Sequence, residues 1–183
     1  MDDNKKKIAF IINPISGSQG KEHILKWLDE KLDKNRYMPE VIYTEWAGHA
    51  VEIAARKAKE EVFAVVAIGG DGTINEIARS LVHTKTALGI IPCGSGNGLA
   101  RHLQIPMEAK KAIDIINEGL IDIIDYGKIN DVPFFCTCGV GFDAFVSLQF
   151  SKAGRRGPLI YLEKTLLESL KYKPETYELE MDG

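Results

Sequence analysis

Three glycine-rich turns, each following a short apolar run, hold the residues best suited to chemistry in this 183-residue chain. The central one is Gly69-Gly70-Asp71-Gly72-Thr73. Three glycines let a backbone come close to a ligand with no Cβ in the way. A helix that follows directly points unpaired N–H groups and its positive dipole end into the turn, which makes an anion site. An aspartate beside a bare phosphate is repulsive, and it makes sense with a divalent cation between them. The turn therefore predicts a nucleotide phosphate with Mg²⁺, Asp71 being the candidate metal ligand. A plain strand-to-helix turn, with Asp71 only capping, is the competing reading of the motif taken alone.

The elements around the turn follow from periodicity. Phe63 to Ile68 is an unbroken apolar run, as in a strand buried on both faces of a parallel sheet. After the turn, Ile74, Ile77, Ala78 and Leu81 repeat at helical spacing, and Thr73 with Glu76 has capping-box spacing that places the first helical residue near Ile74. The same grammar recurs. Lys7 to Ile12 reads as a strand that runs into Asn13-Pro14-Ile15-Ser16-Gly17-Ser18-Gln19-Gly20-Lys21 and then a stripe of Ile24, Leu25, Leu28 and Leu32. Glu40 to Thr44 reads as a strand, followed by a helix opened near Gly48-His49 with Val51, Ala54, Ala55 and Ala58 on one face. His49, at that helix start, reads as a surface or capping residue. Leu88 to Ile91 reads as a fourth strand, leading into the loop Pro92-Cys93-Gly94-Ser95-Gly96-Asn97-Gly98-Leu99-Ala100-Arg101. The first loop is not a Walker A and the third is not a dinucleotide fingerprint. In an open α/β sheet ligands bind at the carboxyl ends of the strands, so the three loops converge on one crevice.

Beyond these loops, Pro106 to Gly119 predicts a helix with Ala109, Ala112, Ile113 and Ile116 on its buried face. Leu120 to Ile129 and Phe134 to Val140 then predict two strands joined by Asn130-Asp131-Val132-Pro133, and a domain boundary falls near Tyr126 to Lys128. The domains expected are residues 1–127 and 128–183. Gly139 to Ala144 bends into a helical segment, Lys152, Arg155 and Arg156 form a basic, glycine-flanked loop that reads as a solvated turn or, as the alternative, as a contact for anionic phosphate or a membrane surface, and Leu159, Leu162, Leu166 and Leu170 give a long amphipathic helix. Thr176 to Met181 alternates like a half-buried strand and runs into Asp182-Gly183, a hairpin pair, from which a fragment with an incomplete second domain is expected.

Composition bounds the function. A net charge of −3, from 23 basic and 26 acidic residues, disfavours a nucleic-acid partner. The apolar segment near the start, Ile8 to Ile12, is too short for a signal-peptide core or a membrane span, which predicts a cytoplasmic protein without a transmembrane segment. Cys93, Cys136 and Cys138 read as reduced core residues, the last two on one strand face, and metal-ligand spacing is lacking.

Asn13-Pro14 with Ser16-Gly17, then Gly69 to Thr73, then Pro92 with Gly94 to Asn97, and finally Gly141-Phe142-Asp143-Ala144, occur in one order and spacing. In these motifs the chain resembles the diacylglycerol kinase catalytic-domain family of lipid kinases, which includes bacterial lipid kinases and the sphingosine and ceramide kinases. The resemblance implies a phosphofructokinase/NAD-kinase-like parallel-sheet α/β nucleotide-binding domain, a second domain of β-sandwich type, and ATP in the cleft. By position it implies that Asn13, Ser16 and Gly17 border the nucleotide, that Gly69, Gly70, Asp71, Gly72 and Thr73 take phosphate and metal, and that Gly94, Ser95, Gly96 and Asn97 close the other side. The implied reaction moves the γ-phosphoryl group of ATP, with Mg²⁺, to a lipid hydroxyl at the inner membrane surface.

In some members the position of Asp71 is given base chemistry. In the bacterial branch the base lies in a later acidic motif, for which Asp182-Gly183 comes too early. Ser95 has the form frequent in the sphingoid branch, yet Phe145 stands where that branch holds an acidic residue, so the lipid stays open. An NAD kinase shares the Gly-Gly-Asp-Gly turn, but Asn75-Glu76 lies inside the first helix motif and gives no separate NAD-binding pair. A nucleotide-binding regulatory module without transfer activity is the alternative from outside the enzymes.

Overall fold

The computed structural model describes residues 5–15, 21–152 and 172–181. Four parallel strands carry the first part of the chain: β1 (Lys6–Ile12), β2 (Tyr37–Tyr43), β3 (Ala64–Gly69) and β4 (Ala87–Pro92), in the order β2-β1-β3-β4. Phe10 pairs with Val41 on one side and Val66 on the other, and Val66 with Gly89. β1 from Ile8 onward and all of β3 are buried, as expected of unbroken apolar runs.

Successive side chains of a strand point to opposite faces, so the two inner strands feed two cores. Ile8, Phe10, Ile12, Val66 and Ile68 pack with Ile24 and Leu28 of α1 (Glu22–Lys31) and Ala112 and Ile113 of α5 (Ala109–Glu118). On the other face Ala9, Ile11, Val65 and Ala67 pack with Ala50, Ile53 and Ala54 of α2 (His49–Lys59) and Ile74, Ile77 and Leu81 of α3 (Asp71–Leu81). The result is a helix–sheet–helix sandwich.

Several boundaries and faces differ from the sequence-based expectation. α2 buries Ala50, Ile53, Ala54 and Lys57, while Val51 is exposed. Gly48, at φ 88, turns the chain so that Ala50 meets the sheet, and a run of small residues cannot set the phase by itself. α3 begins at Asp71 rather than near Ile74, because Gly70 is extended and acts as the N-cap. The capping box does not form; Thr73 is inside the helix and buried. A short helix, α4 (Gly98–His102), follows the third loop where a loop is expected, and α5 starts three residues after Pro106.

Two long strands after Gly119 are not formed. Residues 120–126 take no regular structure, and only β5 (Gly127–Ile129) and β6 (Val132–Phe134) pair, antiparallel. Asn130 and Asp131 link them, both at positive φ as primed hairpin turns require. Since β6 ends at Phe134, Cys136 and Cys138 are exposed rather than core residues; all three cysteines are free, Cys93 half-buried.

The chain divides into two units, Met1–Cys136 and Thr137–Gly183. In the second, α6 (Phe142–Lys152) provides the expected helix after Gly141, and Phe142 and Phe145 lie against Tyr172 with ring centroids 5.4 and 5.6 Å apart. Residues 172–181 form neither helix nor strand, so Thr176 to Met181 is not the expected strand; it has no ladder partner among the described residues. Arg155, Arg156, the Leu159–Leu170 stripe and Asp182-Gly183 lie outside the described residues.

Candidate functional site

The chain leaves β1 for β2 on one side and later returns to place β3 on the other, so the strand order reverses between β1 and β3. Ligands of open α/β sheets sit at such a reversal, outside the carboxyl ends of the strands. Asn13, the first residue after β1, is built into that point. Its backbone N–H donates to the Ile68 carbonyl at 3.4 Å, and its Nδ2 donates to Thr73 Oγ1 at 3.3 Å. Its Oδ1 accepts from the Ile15 N–H at 3.1 Å, which turns the chain outward and leaves Ile15 exposed. The Lys21 ammonium donates to the Asn13 carbonyl and so ties the two ends of the first loop together.

The second and third loops meet backbone to backbone. The Cys93 N–H donates to the Gly69 carbonyl at 2.8 Å, extending the β3–β4 ladder by one residue. A Cβ on Gly94 would stand 2.6 Å from the Gly70 Cα, so neither glycine can carry a side chain without moving the other strand end. Gly69 is enclosed by Thr73, 2.7 Å from the Thr73 Cβ to an added methyl, whereas Gly72 faces open space. The first intrahelical bond of α3 runs from Ile74 N–H to the Gly70 carbonyl at 3.1 Å, so the N–H groups of residues 71 to 73 precede the ladder.

Asp71 turns toward the third loop. Its Oδ2 accepts from the Asn97 N–H at 2.8 Å and its Oδ1 from the Gly98 N–H at 2.6 Å. Asn97 is buried at φ 54, with Oδ1 accepting from the Gly94 N–H at 2.9 Å and Nδ2 donating to the Gly94 carbonyl at 2.7 Å. Arg101 Nε donates to the Gly96 carbonyl at 2.8 Å and closes the outer side of the turn.

Asn13, Gly69, Gly70, Asp71, Gly72, Thr73, Gly94, Gly96 and Asn97 are thus assembled at the ends of three neighbouring strands, with Ser95 exposed on the rim. Ser16 and Gly17 lie outside the described residues. Lys21 was not among the candidates from sequence. Burial pulls its ammonium below the usual lysine range, against the opposing influence of Cys93, whose thiol burial pushes up. Its local signal is a cation in the N-cap position of α1, opposite to what the helix dipole favours. Gly98 was likewise missed; its N–H matters only because α4 begins there.

No group of three His, Cys, Asp or Glu among the described residues is placed to hold a metal ion. Mg²⁺ is commonly bound through one or two carboxylates, with the remaining ligands from phosphate and water. Asp71 suits that role by charge and position, and each of its oxygens has a further lone pair beyond the N–H it accepts.

The diacylglycerol kinase catalytic domain family matches residues 7–129, which contain all of these groups. The chain belongs to that family. A diacylglycerol kinase of Staphylococcus saprophyticus subsp. saprophyticus is 35% identical over 132 residues, covering 71% of this chain and 43% of its own length. One from Bacillus subtilis (strain 168) is 33% identical over 186 residues, covering 97% of this chain and 60% of its own. The crystal structure of a diacylglycerol kinase from Bacillus anthracis str. Sterne superposes with a TM-score of 0.63 at 25% identity, over 70% of this chain and 48% of that one. The parallel α/β fold of the diacylglycerol kinase family is therefore the fold seen here, and the chain spans 43–60% of the length of those two curated relatives.

Proposed function

We propose that this chain is the nucleotide-binding part of a lipid kinase that moves the γ-phosphoryl group of ATP to a lipid hydroxyl. The observation that carries the reading is the junction of the second and third loops at Gly70 and Gly94, beside a helix N-terminus whose first N–H groups precede the ladder. Such a junction suits phosphate oxygens, because the N–H groups and the dipole end of α3 attract negative charge while the glycines permit close approach. The names of the relatives, diacylglycerol kinases, support the lipid hydroxyl as acceptor.

Phosphoryl transfer needs positioning and charge neutralisation more than covalent help from the protein. Residues 70 to 73 bind and orient the phosphates, Asn13 holds the first loop against Thr73, and Asn97 shapes the opposite wall. Asp71 would hold Mg²⁺ from the protein side, and the ion would supply neutralisation of charge on the phosphate oxygens. The new bond joins the lipid oxygen to phosphorus as the bond to ADP breaks, and the hydroxyl proton passes to a base. The lipid is met at a membrane surface; among the described residues no helix is long and apolar enough to cross one.

Two measurements test this. Titration calorimetry with ATP and Mg²⁺ is expected to show one site per chain, and absence of heat and of competition by ADP sinks the nucleotide reading. Transfer from γ-labelled ATP into micelles offering diacylglycerol, sphingosine or a total lipid extract is expected to place label in a lipid. Binding without label in any lipid, by this chain and by a chain extended to its natural stop, supports the regulatory-module reading instead, and label appearing in NAD offered as the only acceptor supports the NAD-kinase reading.

A further inference from the structure

We infer that Asp71 is a positioning residue as well as a candidate metal ligand: its carboxylate latches the third loop to α3 through the N–H groups of Asn97 and Gly98. The inference rests on the nucleotide reading above, since the latched loop forms one wall of that site.

The geometry supports a latch in three ways. Both carboxylate oxygens are used, at 2.8 and 2.6 Å, on two consecutive backbone N–H groups 26 and 27 residues further along the chain. Hydrogen bonds from N–H to an ionised carboxylate are about twice as strong as neutral ones. The Asn97 side chain cannot do this work, because it is folded back on Gly94, and α4 accordingly has no side-chain bond from its own N-cap. Asp71 caps α4 from another element.

The third way is steric and conformational. Asn97 stands at φ 54, a left-handed conformation that asparagine adopts more readily than other non-glycine residues, and it is fixed there by its own side-chain bonds to Gly94 together with the Asp71 carboxylate on its N–H. A Cβ on Gly96 would come 2.7 Å from Asp71 Oδ2, so the turn closes around the carboxylate with no room to spare. Releasing the carboxylate frees residues 94 to 98 from α3 and loosens the contact of Gly94 with Gly70. The nucleotide then loses a wall whether or not a metal is present.

That last point separates the latch from a metal ligand acting alone. Removing a carboxylate that only holds Mg²⁺ leaves metal-free nucleotide binding unchanged, or tightens it by removing a repulsive charge. Removing a latch weakens it. Binding of ADP in excess EDTA is measured for the wild type, Asp71→Asn, Asp71→Ala and Gly96→Ala, with thermal midpoints recorded alongside. Asp71→Ala is expected to lose at least about tenfold in metal-free affinity, which corresponds to about 1.4 kcal/mol. Asp71→Asn, whose amide can accept one of the two N–H groups but not both, falls between. Gly96→Ala keeps the charge but crowds it, and follows Asp71→Ala; it also serves should Asp71→Ala fail to fold. Unchanged or tighter metal-free binding in these variants overturns the latch.

Amide exchange at Asn97 and Gly98 gives an independent readout. It is expected to rise at least tenfold at both amides in Asp71→Ala, with α5 amides unaffected, and equal protection in the variant overturns the proposal. If the wild type itself binds no nucleotide, the nucleotide reading falls, and exchange at these two amides still decides the latch.

Discussion

Gly72 shows how a single residue can separate stability from binding. It lies in the first turn of α3, has no neighbour within 4 Å of an added Cβ, and needs no positive φ. Replacing glycine by alanine within a helix gains about 0.5–1 kcal/mol, somewhat less near its end. Gly72→Ala is therefore expected to hold or raise the thermal midpoint while weakening ATP binding, because the methyl group occupies the space that phosphate would take. A variant that binds ATP as the wild type does would place the phosphates elsewhere. At this scale much was legible beforehand: the glycines, Asp71, Asn13 and Asn97 stand out by type and by position after apolar runs. The direction of Asp71 was not legible, because its partners are backbone groups of Asn97 and Gly98, which no residue identity reveals. Lys21 escaped for a similar reason, since its partner is the Asn13 carbonyl.

Helix α2 illustrates what decides an element's orientation. Its buried face includes Lys57, whose ammonium meets Glu40 on β2 at 2.7 Å and Glu60 just past the helix at 2.8 Å. Burial pushes Lys57 down, but the hydrogen bonds it donates to both carboxylates more than offset it and leave its pKa raised; the pKa of the Glu60 carboxyl is lowered in turn, chiefly by its bond to Lys57. Lys57 thus contributes stability present below its usual 10.5 and lost as pH rises through its raised value. Glu60 contributes stability present above its usual 4.5 and lost as pH falls through its lowered value.

Lys57→Met keeps the apolar stem and removes the charge, so its midpoint is expected below that of the wild type near neutrality. The gap should close as pH drops below 4.5. Urea melts across that range check it, and a gap independent of pH would mean that packing alone is at stake. The pairing explains why the helix face was misjudged from sequence: a charged residue inside a small-residue stripe reads as the solvent side until its partners are seen. Strong periodicity fared better, as in α5, where Ala109, Ala112 and Ile113 are buried as anticipated and Gly119 ends the helix at φ 67. The mostly apolar residues 120–124 read as a strand from composition, yet a strand exists only with a neighbour, and pairing is a property of the fold rather than of the segment.

For the molecule as a whole, every residue in both core clusters precedes Thr137. A chain ended at Cys136 is expected to unfold in a single cooperative thermal transition, and a broad, non-cooperative melt would show that the first unit depends on the second. The parallel order of the strands was foreseeable, since strand, loop and helix alternate and parallel neighbours need crossovers. The sequence order across the sheet was not, because nothing local tells β3 to pair on the free side of β1.

The contact between Gly70 and Gly94 has a bearing on how the protein can diversify. A Cβ on Gly94 would stand 2.6 Å from the Gly70 Cα and one on Gly70 3.1 Å from the Gly94 Cα, so a side chain at either position forces the other strand end to shift. Within the three loops, room for substitution lies instead at the rim, where Ser95 and Ile15 are exposed. The position most resistant to change in the crevice is thereby the one that reveals least about what the crevice binds.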